Sequence, residues 1–322
     1  MTLATALLYL LALGVCAAIS ICVYLVVTSP PKRVRTAHGL TLRSSKQDVS
    51  LPLPDIADNA SVTLSVVVPA YNEEERLPLM LDETVGFLDQ RKKSQPDFTY
   101  EILVVDDGSR DRTSEMALEY AKKHENEHIR VLTLAANRGK GGAVAEGMLR
   151  ARGERLLFAD ADGATKFADI EGLESELAKL SSDGLGVVVG SRAHMVRTDA
   201  VVKRSAIRNF LMHSFHQLLY VLGVREIKDT QCGFKLFTRS AARSIFRNVH
   251  VEGWIFDVEV LLIAMHCGIP IGEVPVTWHE IDGSKVSLLR DSIRMALDLF
   301  TIRLNYLLGV WAIDLAATSK QQ

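Results

Sequence analysis

The stretch Arg155-Leu-Leu-Phe-Ala-Asp-Ala-Asp162 decides the fold. An apolar run of strand length ends on Asp160 and Asp162, two carboxylates one residue apart. Ionised carboxylates withdrawn from water are expensive unless a cation or a ligand uses them. In open α/β sheets the ligands bind at the carboxyl ends of the strands. The triplet therefore points to a divalent metal held against a phosphorylated substrate. The bland alternative is a turn carrying two solvated aspartates.

Working outward, comparable apolar runs recur at Leu64–Val68, Glu101–Val105, Ile129–Leu134 and Val187–Val189. Helical spacing falls between them, at Glu75–Gln90, Asp111–His124, Lys140–Arg152 and Ala168–Leu180. Strands alternating with helices of this length predict βαβ units and a mainly parallel sheet. Runs that are continuously apolar predict strands covered on both faces. Beyond Arg192 a long helix is expected over Ala200–Leu222, then a compact motif at Asp229–Lys235, a helix at Phe256–Cys267 and a strand at Glu273–Thr277.

The ends of the chain differ from its middle. Leu3–Val27 carries no charge over 25 residues. As a helix it would be ~37 Å long against a hydrocarbon core of ~30 Å. It reads as a transmembrane anchor within residues 1–30, since no basic residue precedes it and it exceeds the core of a signal peptide. Lys32, Arg33 and Arg35 follow, which places the body of the protein on the cytosolic side. The sequon Asn59-Ala60-Ser61 is accordingly expected to stay unglycosylated. Residues 31–60, polar with scattered prolines, read as a linker, and 61–286 as the catalytic domain. In 287–322, Ser287, Arg290, Asp291, Arg294, Asp298, Thr301 and Asn305 line one helical face, with Leu289, Ile293, Ala296, Leu297, Phe300, Leu304, Leu307 and Leu308 opposite. Such a helix either packs on the domain or lies in a membrane interface.

The 322 residues carry a net charge of −2, which gives no reason to expect a nucleic acid partner. Cys16, Cys22, Cys232 and Cys267 form no C-x-x-C pair, so neither a zinc site nor a disulfide framework is implied. The oligomeric state is not legible.

Three further loops follow predicted strands. Pro69-Ala-Tyr-Asn-Glu-Glu74 could set an aromatic ring and a carboxylate against a nucleoside, or could simply cap a helix through Asn72 and Glu75. Asp106-Asp-Gly-Ser-Arg-Asp111 could bind the N–H groups of a base, or could be a turn in which Asp111 caps a helix. Asn137-Arg-Gly-Lys-Gly-Gly-Ala143 enters a helix with backbone N–H groups suited to a phosphate. It is neither a Walker loop nor a dinucleotide fingerprint, because Val144 stands where the third glycine would be.

The strings Val-Val-Val-Pro-Ala-Tyr-Asn-Glu (66–73), Val-Val-Asp-Asp-Gly-Ser (104–109), Asn-Arg-Gly-Lys-Gly-Gly-Ala (137–143) and Asp-Ala-Asp (160–162) together resemble the family 2 glycosyltransferases with the GT-A fold. Asp-Ala-Asp-Gly-Ala-Thr-Lys-Phe (160–167), Thr-Gln-Cys-Gly-Phe-Lys-Leu-Phe (230–237) and Glu-Gly-Trp-Ile-Phe-Asp-Val-Glu (252–259) resemble the branch that glucosylates dolichyl phosphate. The resemblance implies a Rossmann-like α/β domain and inverting transfer of glucose from UDP-glucose to dolichyl phosphate at the endoplasmic reticulum membrane, with Mg²⁺ or Mn²⁺. Pro69, Tyr71 and Glu73 would line the nucleoside pocket, and Asp106 would meet the uracil with Asp107 behind it. Lys140 and Lys285 would contact the donor. Asp162 would hold the metal, Asp160 the ribose or the metal shell, and Arg192 with Arg204 or Arg208 the acceptor phosphate. Asp229 and Asp257 would touch sugar hydroxyls, orient arginines or aid the acceptor, or else be buried Asp–Arg pairs. Related mannosyl enzymes carry Gln where this chain has Ala164, so Thr165 or water would complete the metal shell. Mannosyl transfer from GDP-mannose and an inert membrane scaffold that keeps the fold are the remaining alternatives. A processive synthase would need several spans and a Q-x-x-R-W motif, and this sequence has neither.

Overall fold

The computed structural model describes residues 3–32, 35–181, 183–197, 227–281 and 288–314. Among them a single nine-stranded sheet runs in the order β2-β1-β5-β4-β3-β6-β8-β7-β9. Its strands are β1 (Leu40–Ser44), β2 (Gln47–Leu51), β3 (Val62–Ala70), β4 (Tyr100–Asp106), β5 (Ile129–Leu134), β6 (Gly153–Ala159), β7 (Val187–Ser191), β8 (Phe234–Thr238) and β9 (Ile271–Pro275). The helices are α1 (Leu3–Val27), α2 (Leu77–Ser94), α3 (Thr113–Lys123), α4 (Lys140–Arg150), α5 (Ile170–Leu180), α6 (Arg239–Phe246), α7 (Phe256–His266) and α8 (Leu288–Leu307).

The central strands β5-β4-β3-β6 are mutually parallel. They read Val/Ile/Leu-rich because both faces are covered: Val66, Val67, Val68, Ile102, Val104, Leu156 and Leu157 are fully buried. The chain lays down β3, β4 and β5 in one direction and then returns to place β6 on the other side of β3. The strand order thus reverses between β3 and β6, and an open α/β sheet has its binding crevice at such a point. Beyond β6, β8 runs antiparallel to both β6 and β7.

The expected alternation from 64 to 189 is present, with boundaries shifted by a few residues. The stretch 31–60, expected as a linker, is instead folded onto the domain. β1 pairs antiparallel with β5, and β2 closes a hairpin on it. Ile56 is buried, and the Arg239 guanidinium donates to the carbonyls of Asp55, Asp58, Ala151 and Gly153. The polar, proline-bearing sequence concealed a hairpin that buries Leu40 and Leu42 and packs Leu51 against the core. Within α1, Leu7–Val27 has a mean hydropathy of 2.7 and no buried residues, so α1 is long and apolar enough to cross a membrane. The helix expected over 200–222 lies outside the described residues.

Candidate active site

Because β3, β4, β5 and β6 are parallel neighbours, the four loops singled out in the sequence leave the same edge of the sheet. Asp160 and Asp162 stand just past β6, at the reversal point. Both are partly exposed. The Lys140 ammonium lies 2.7 Å from Asp160 Oδ1, and the backbone N–H of Ala164 donates to Asp162 Oδ1 at 3.0 Å. Burial, and then the neighbouring Asp160 charge, raise the Asp162 carboxyl above its usual range. Burial lowers the Lys140 ammonium, but Asp160 and Asp257 outweigh it and hold the group above its ordinary value. The corner is therefore short of positive charge, and a cation would relieve it.

Among the described residues no three His, Cys, Asp or Glu side chains cluster as a closed metal cage. Two carboxylates beside an open edge nonetheless fit Mg²⁺ or Mn²⁺. Mg²⁺ commonly binds through one or two carboxylates, with substrate phosphates and water completing the shell.

The β3 and β4 loops are laced together. The Asn72 N–H donates to Ser109 Oγ (2.9 Å), the Arg110 N–H to Asn72 Oδ1 (2.8 Å) and the Glu73 N–H to Thr113 Oγ1 (2.8 Å). Asp111 accepts from the N–H groups of Thr113 and Glu74, so it works at the start of α3 and also ties the two loops. The Asn72–Glu75 capping box does not form: α2 starts after Arg76, without a side-chain cap. Asn72 adopts φ +55°, and Glu73 closes a bidentate pair with Arg76 (2.7 and 2.6 Å). Arg76 went unnoticed in the sequence, although it sits 4.0 Å from Asp162 Oδ2. The signal was the Glu73-x-x-Arg76 spacing ahead of a helix.

Asp106 lies at the bottom of the crevice and accepts from the Ser109 N–H (2.8 Å) and the Ser114 hydroxyl. Asp107 reaches the glycine-rich loop instead, accepting from the N–H groups of Arg138 (2.7 Å) and Gly139 (2.8 Å). Burial nevertheless pushes its carboxyl up to about 6. The Gly142 N–H is held by the Glu252 carbonyl at 3.2 Å. The open backbone cradle for phosphate expected of this loop is thus already filled in part, and Lys140 supplies its reach toward the site through a side chain. Gly139 has φ +86°, and a Cβ there would lie 2.6 Å from the Glu252 carbonyl, so only glycine lets the two loops meet.

Two predicted carboxylates take supporting positions. Asp257 at the start of α7 is 2% exposed, and the buried Lys235 ammonium donates to it at 2.6 Å, as it does to the Cys232 carbonyl. The Asp257 charge also acts on Lys140 beside Asp160. The expected Asp–Arg pair is here an Asp–Lys pair, and Lys235, also unnoticed in the sequence, sits over the Phe158 ring. Asp229 forms the anticipated pair with Arg192, accepting from its backbone N–H, Nε and Nη2 at 2.9, 2.7 and 2.9 Å. Burial works against ionisation of both, but the bidentate contact outweighs it, raising Arg192 and lowering Asp229. Arg192 also lies 5.5 Å from the Trp278 ring. Pro69 is the penultimate residue of β3, and Tyr71 stands half-buried just beyond the strand. Arg204, Arg208 and Lys285 lie outside the described residues.

This mainly parallel sheet, with its crevice at the β3/β6 reversal, has the architecture of a GT-A glycosyltransferase. The chain belongs to glycosyl transferase family 2, whose description it matches over residues 65–246. It is similar to the dolichyl-phosphate β-glucosyltransferases of Drosophila melanogaster (53% identity, over 82% of this chain and 81% of the relative), Mus musculus (47%, 96% and 98%) and Saccharomyces cerevisiae (49%, 82% and 82%). Its fold is shared by the glucosyl-3-phosphoglycerate synthase of Mycobacterium tuberculosis, crystallised with Mn²⁺, UDP-glucose and phosphoglyceric acid. That match has a TM-score of 0.55 at 19% identity and covers 76% of this chain and 80% of the other.

Proposed function

We propose that the protein transfers glucose from UDP-glucose to dolichyl phosphate, with inversion at the sugar C1, from the cytosolic face of the endoplasmic reticulum membrane. The observation that carries this reading is the Lys140–Asp160–Asp162 corner at the β3/β6 reversal, in a chain about half identical to dolichyl-phosphate β-glucosyltransferases.

When bound, Mg²⁺ or Mn²⁺ would stabilise the charge of the departing nucleoside diphosphate, with Asp162 and Asp160 holding it. Pro69, Tyr71 and Glu73 line the nucleoside end of the crevice, and Asp106 receives the base. Asp107 orients the loop that carries Lys140, and Lys140 contacts the donor. Arg192, fixed by Asp229, turns its remaining N–H groups toward the acceptor phosphate. That phosphate has a second pKa of roughly 6, so it is mostly dianionic at neutral pH and needs no strong general base. The protein's task is then to position two anions against each other and to stabilise the charge that develops. Asp257 and Lys235 act behind the site as positioning residues. The α1 helix anchors the enzyme beside its lipid acceptor.

The test uses membranes containing the full chain, dolichyl phosphate and labelled UDP-glucose or GDP-mannose, with and without EDTA. Labelled glucosyl lipid that disappears with EDTA and returns with Mg²⁺ or Mn²⁺ is the expected result. Mannosyl lipid in its place, or transfer indifferent to EDTA, overturns the donor or the metal assignment respectively.

A further inference from the structure

The C-terminal helix turns polar residues inward over its second half. Asn305 is fully buried and Thr301 nearly so, alongside the buried Leu299 and Ile302, while Arg294 stays exposed. Its apolar stripe faces outward, with Ile293 at 55%, Leu297 at 48%, Phe300 at 41%, Leu307 at 79% and Leu308 at 61% exposure. A helix free to roll would hide such a stripe, because each large apolar side chain gains roughly 1.5–3 kcal/mol on burial.

This helix is not free to roll. Asn305 Oδ1 accepts from the Ser29 hydroxyl at 3.1 Å, and the Tyr306 hydroxyl donates to the buried Glu259 at 2.9 Å. Glu259 also accepts from the backbone N–H groups of His250 and Val251. Past Gly309, Trp311 stacks on the His250 ring at 4.2 Å with the planes 4° apart. These contacts lie on the inner side and fix the orientation of α8 about its axis.

The contact with Ser29 also fixes where the stripe lies, because Ser29 is two residues past the end of α1. One residue turn further on, Lys32 donates to Asn248 Oδ1 at 2.9 Å. The apolar stripe thus emerges beside the exit of the uncharged helix.

We propose that the outward stripe formed by Ile293, Leu297, Phe300 and Leu307 of α8, with Leu308 just past its end, is a bilayer-docking surface. It lies at the headgroup–acyl boundary of the leaflet from which α1 emerges. The proposal rests on the reading of α1 as a membrane anchor. The occupant is lipid, since the stripe is a continuous helical face that adjoins α1, the one described helix long and apolar enough to cross a membrane. Docking would also orient the catalytic edge. Asp298 of α8 faces Gly253, where a Cβ would lie 3.7 Å from its Oδ2, and the adjacent Glu252 carbonyl holds the glycine-rich loop.

The test is depth measurement on the full chain in phosphatidylcholine vesicles, without donor or acceptor. Cys16 and Cys22 are replaced by Ala, and a fluorophore is attached in turn at Leu297→Cys, Phe300→Cys and, as a solvent control on α3, Glu119→Cys. Labels at 297 and 300 should be quenched several-fold more by lipids carrying a nitroxide high on the acyl chain than by a water-soluble quencher, with the reverse at 119. Equal quenching by the aqueous agent at all three sites overturns the proposal. So does protection from both quenchers together with a doubled mass, which would assign the stripe to a second copy of the chain. No sugar transfer is measured, so a wrong donor or acceptor leaves the outcome unchanged. If α1 does not span, the vesicles fail to retain the chain after carbonate washing, which separates failure of the anchor reading from failure of the docking.

Discussion

Asp160 is hemmed in by Gly233, where a Cβ would fall 2.0 Å from Asp160 Oδ2. Gly233→Ala must therefore push the carboxylate aside. Displacements near 1 Å at a reacting centre can cost ~10²-fold, so transfer by this variant should drop by about that factor while the protein stays folded by circular dichroism. Asp162→Asn keeps the shape of the side chain and removes its charge. It should lower kcat/KM for the donor by ~10²–10³ and weaken the response to added Mg²⁺, and a wild-type rate would reject the metal role. Lys235→Met acts differently. It leaves Asp257 buried without its partner, a loss of ~3–5 kcal/mol for a broken buried pair. The expected result is a markedly lower melting temperature, partly restored by Asp257→Asn in the same chain. The carboxylates of the D-x-D corner were legible in the sequence because short-range pattern places them. Arg76 and Lys235 were not, since each acquires its role from a partner that the fold brings close.

At the scale of elements, the glycine-rich loop and the start of α4 hang on Asp107. Burial pushes this carboxyl up to about 6, above the ~3.9 of an unfolded aspartate. The folded state therefore holds the proton more tightly than the unfolded one. The contribution of this group to stability is complete below about pH 4 and declines as pH rises through about 6. Function runs the other way: only the carboxylate accepts from both Arg138 and Gly139 with both oxygens. Donor KM should accordingly rise as pH falls below 6, and Asp107→Asn should show the high KM at every pH with the limb flattened. The acceptor phosphate titrates in the same region, so the measurement is donor KM at saturating acceptor. The β strands from 64 to 189 were readable because each centres on a short apolar run, such as Val66–Val68 or Ile102–Val105, that is buried on both faces. The capping box at Asn72 and Glu75 misled because the helix signal there competes with tertiary ties to the β4 loop. Those ties hold Asn72 in a left-handed conformation that no local rule anticipates.

For the whole molecule, the largest departure from the sequence reading is the segment between α1 and the sheet. Its polar composition suggested a tether, yet its β1 strand borrows a neighbour in β5, and a pairing across some 90 residues leaves no local trace. Arg35 extends this attachment, with its guanidinium 3.2 Å from the fully buried Glu146 and 3.4 Å from Glu252. Glu146 also pairs with Arg138 of the glycine-rich loop. The exit of α1 is thus fastened to the domain at three points: Ser29 on Asn305 of α8, Lys32 on Asn248, and Arg35 on the two glutamates that hold the glycine-rich loop. With α1 as the proposed anchor, such a mount would hold the domain at a fixed height. A tether and a fixed mount predict different behaviour on lengthening. Ten Gly/Ser residues inserted after Thr28 would leave a tethered domain active, because a loop of that length adds little closure entropy. In a fixed mount the insertion uncouples the crevice from the plane of the lipid phosphate. Transfer to long-chain dolichyl phosphate in vesicles should then fall by at least ~10-fold, the scale on which misplacement of reacting groups is felt. Transfer to a short, detergent-dispersed prenyl phosphate should remain near wild type, because the crevice itself is intact. Equal rates for both acceptors would return the segment to the role of a linker.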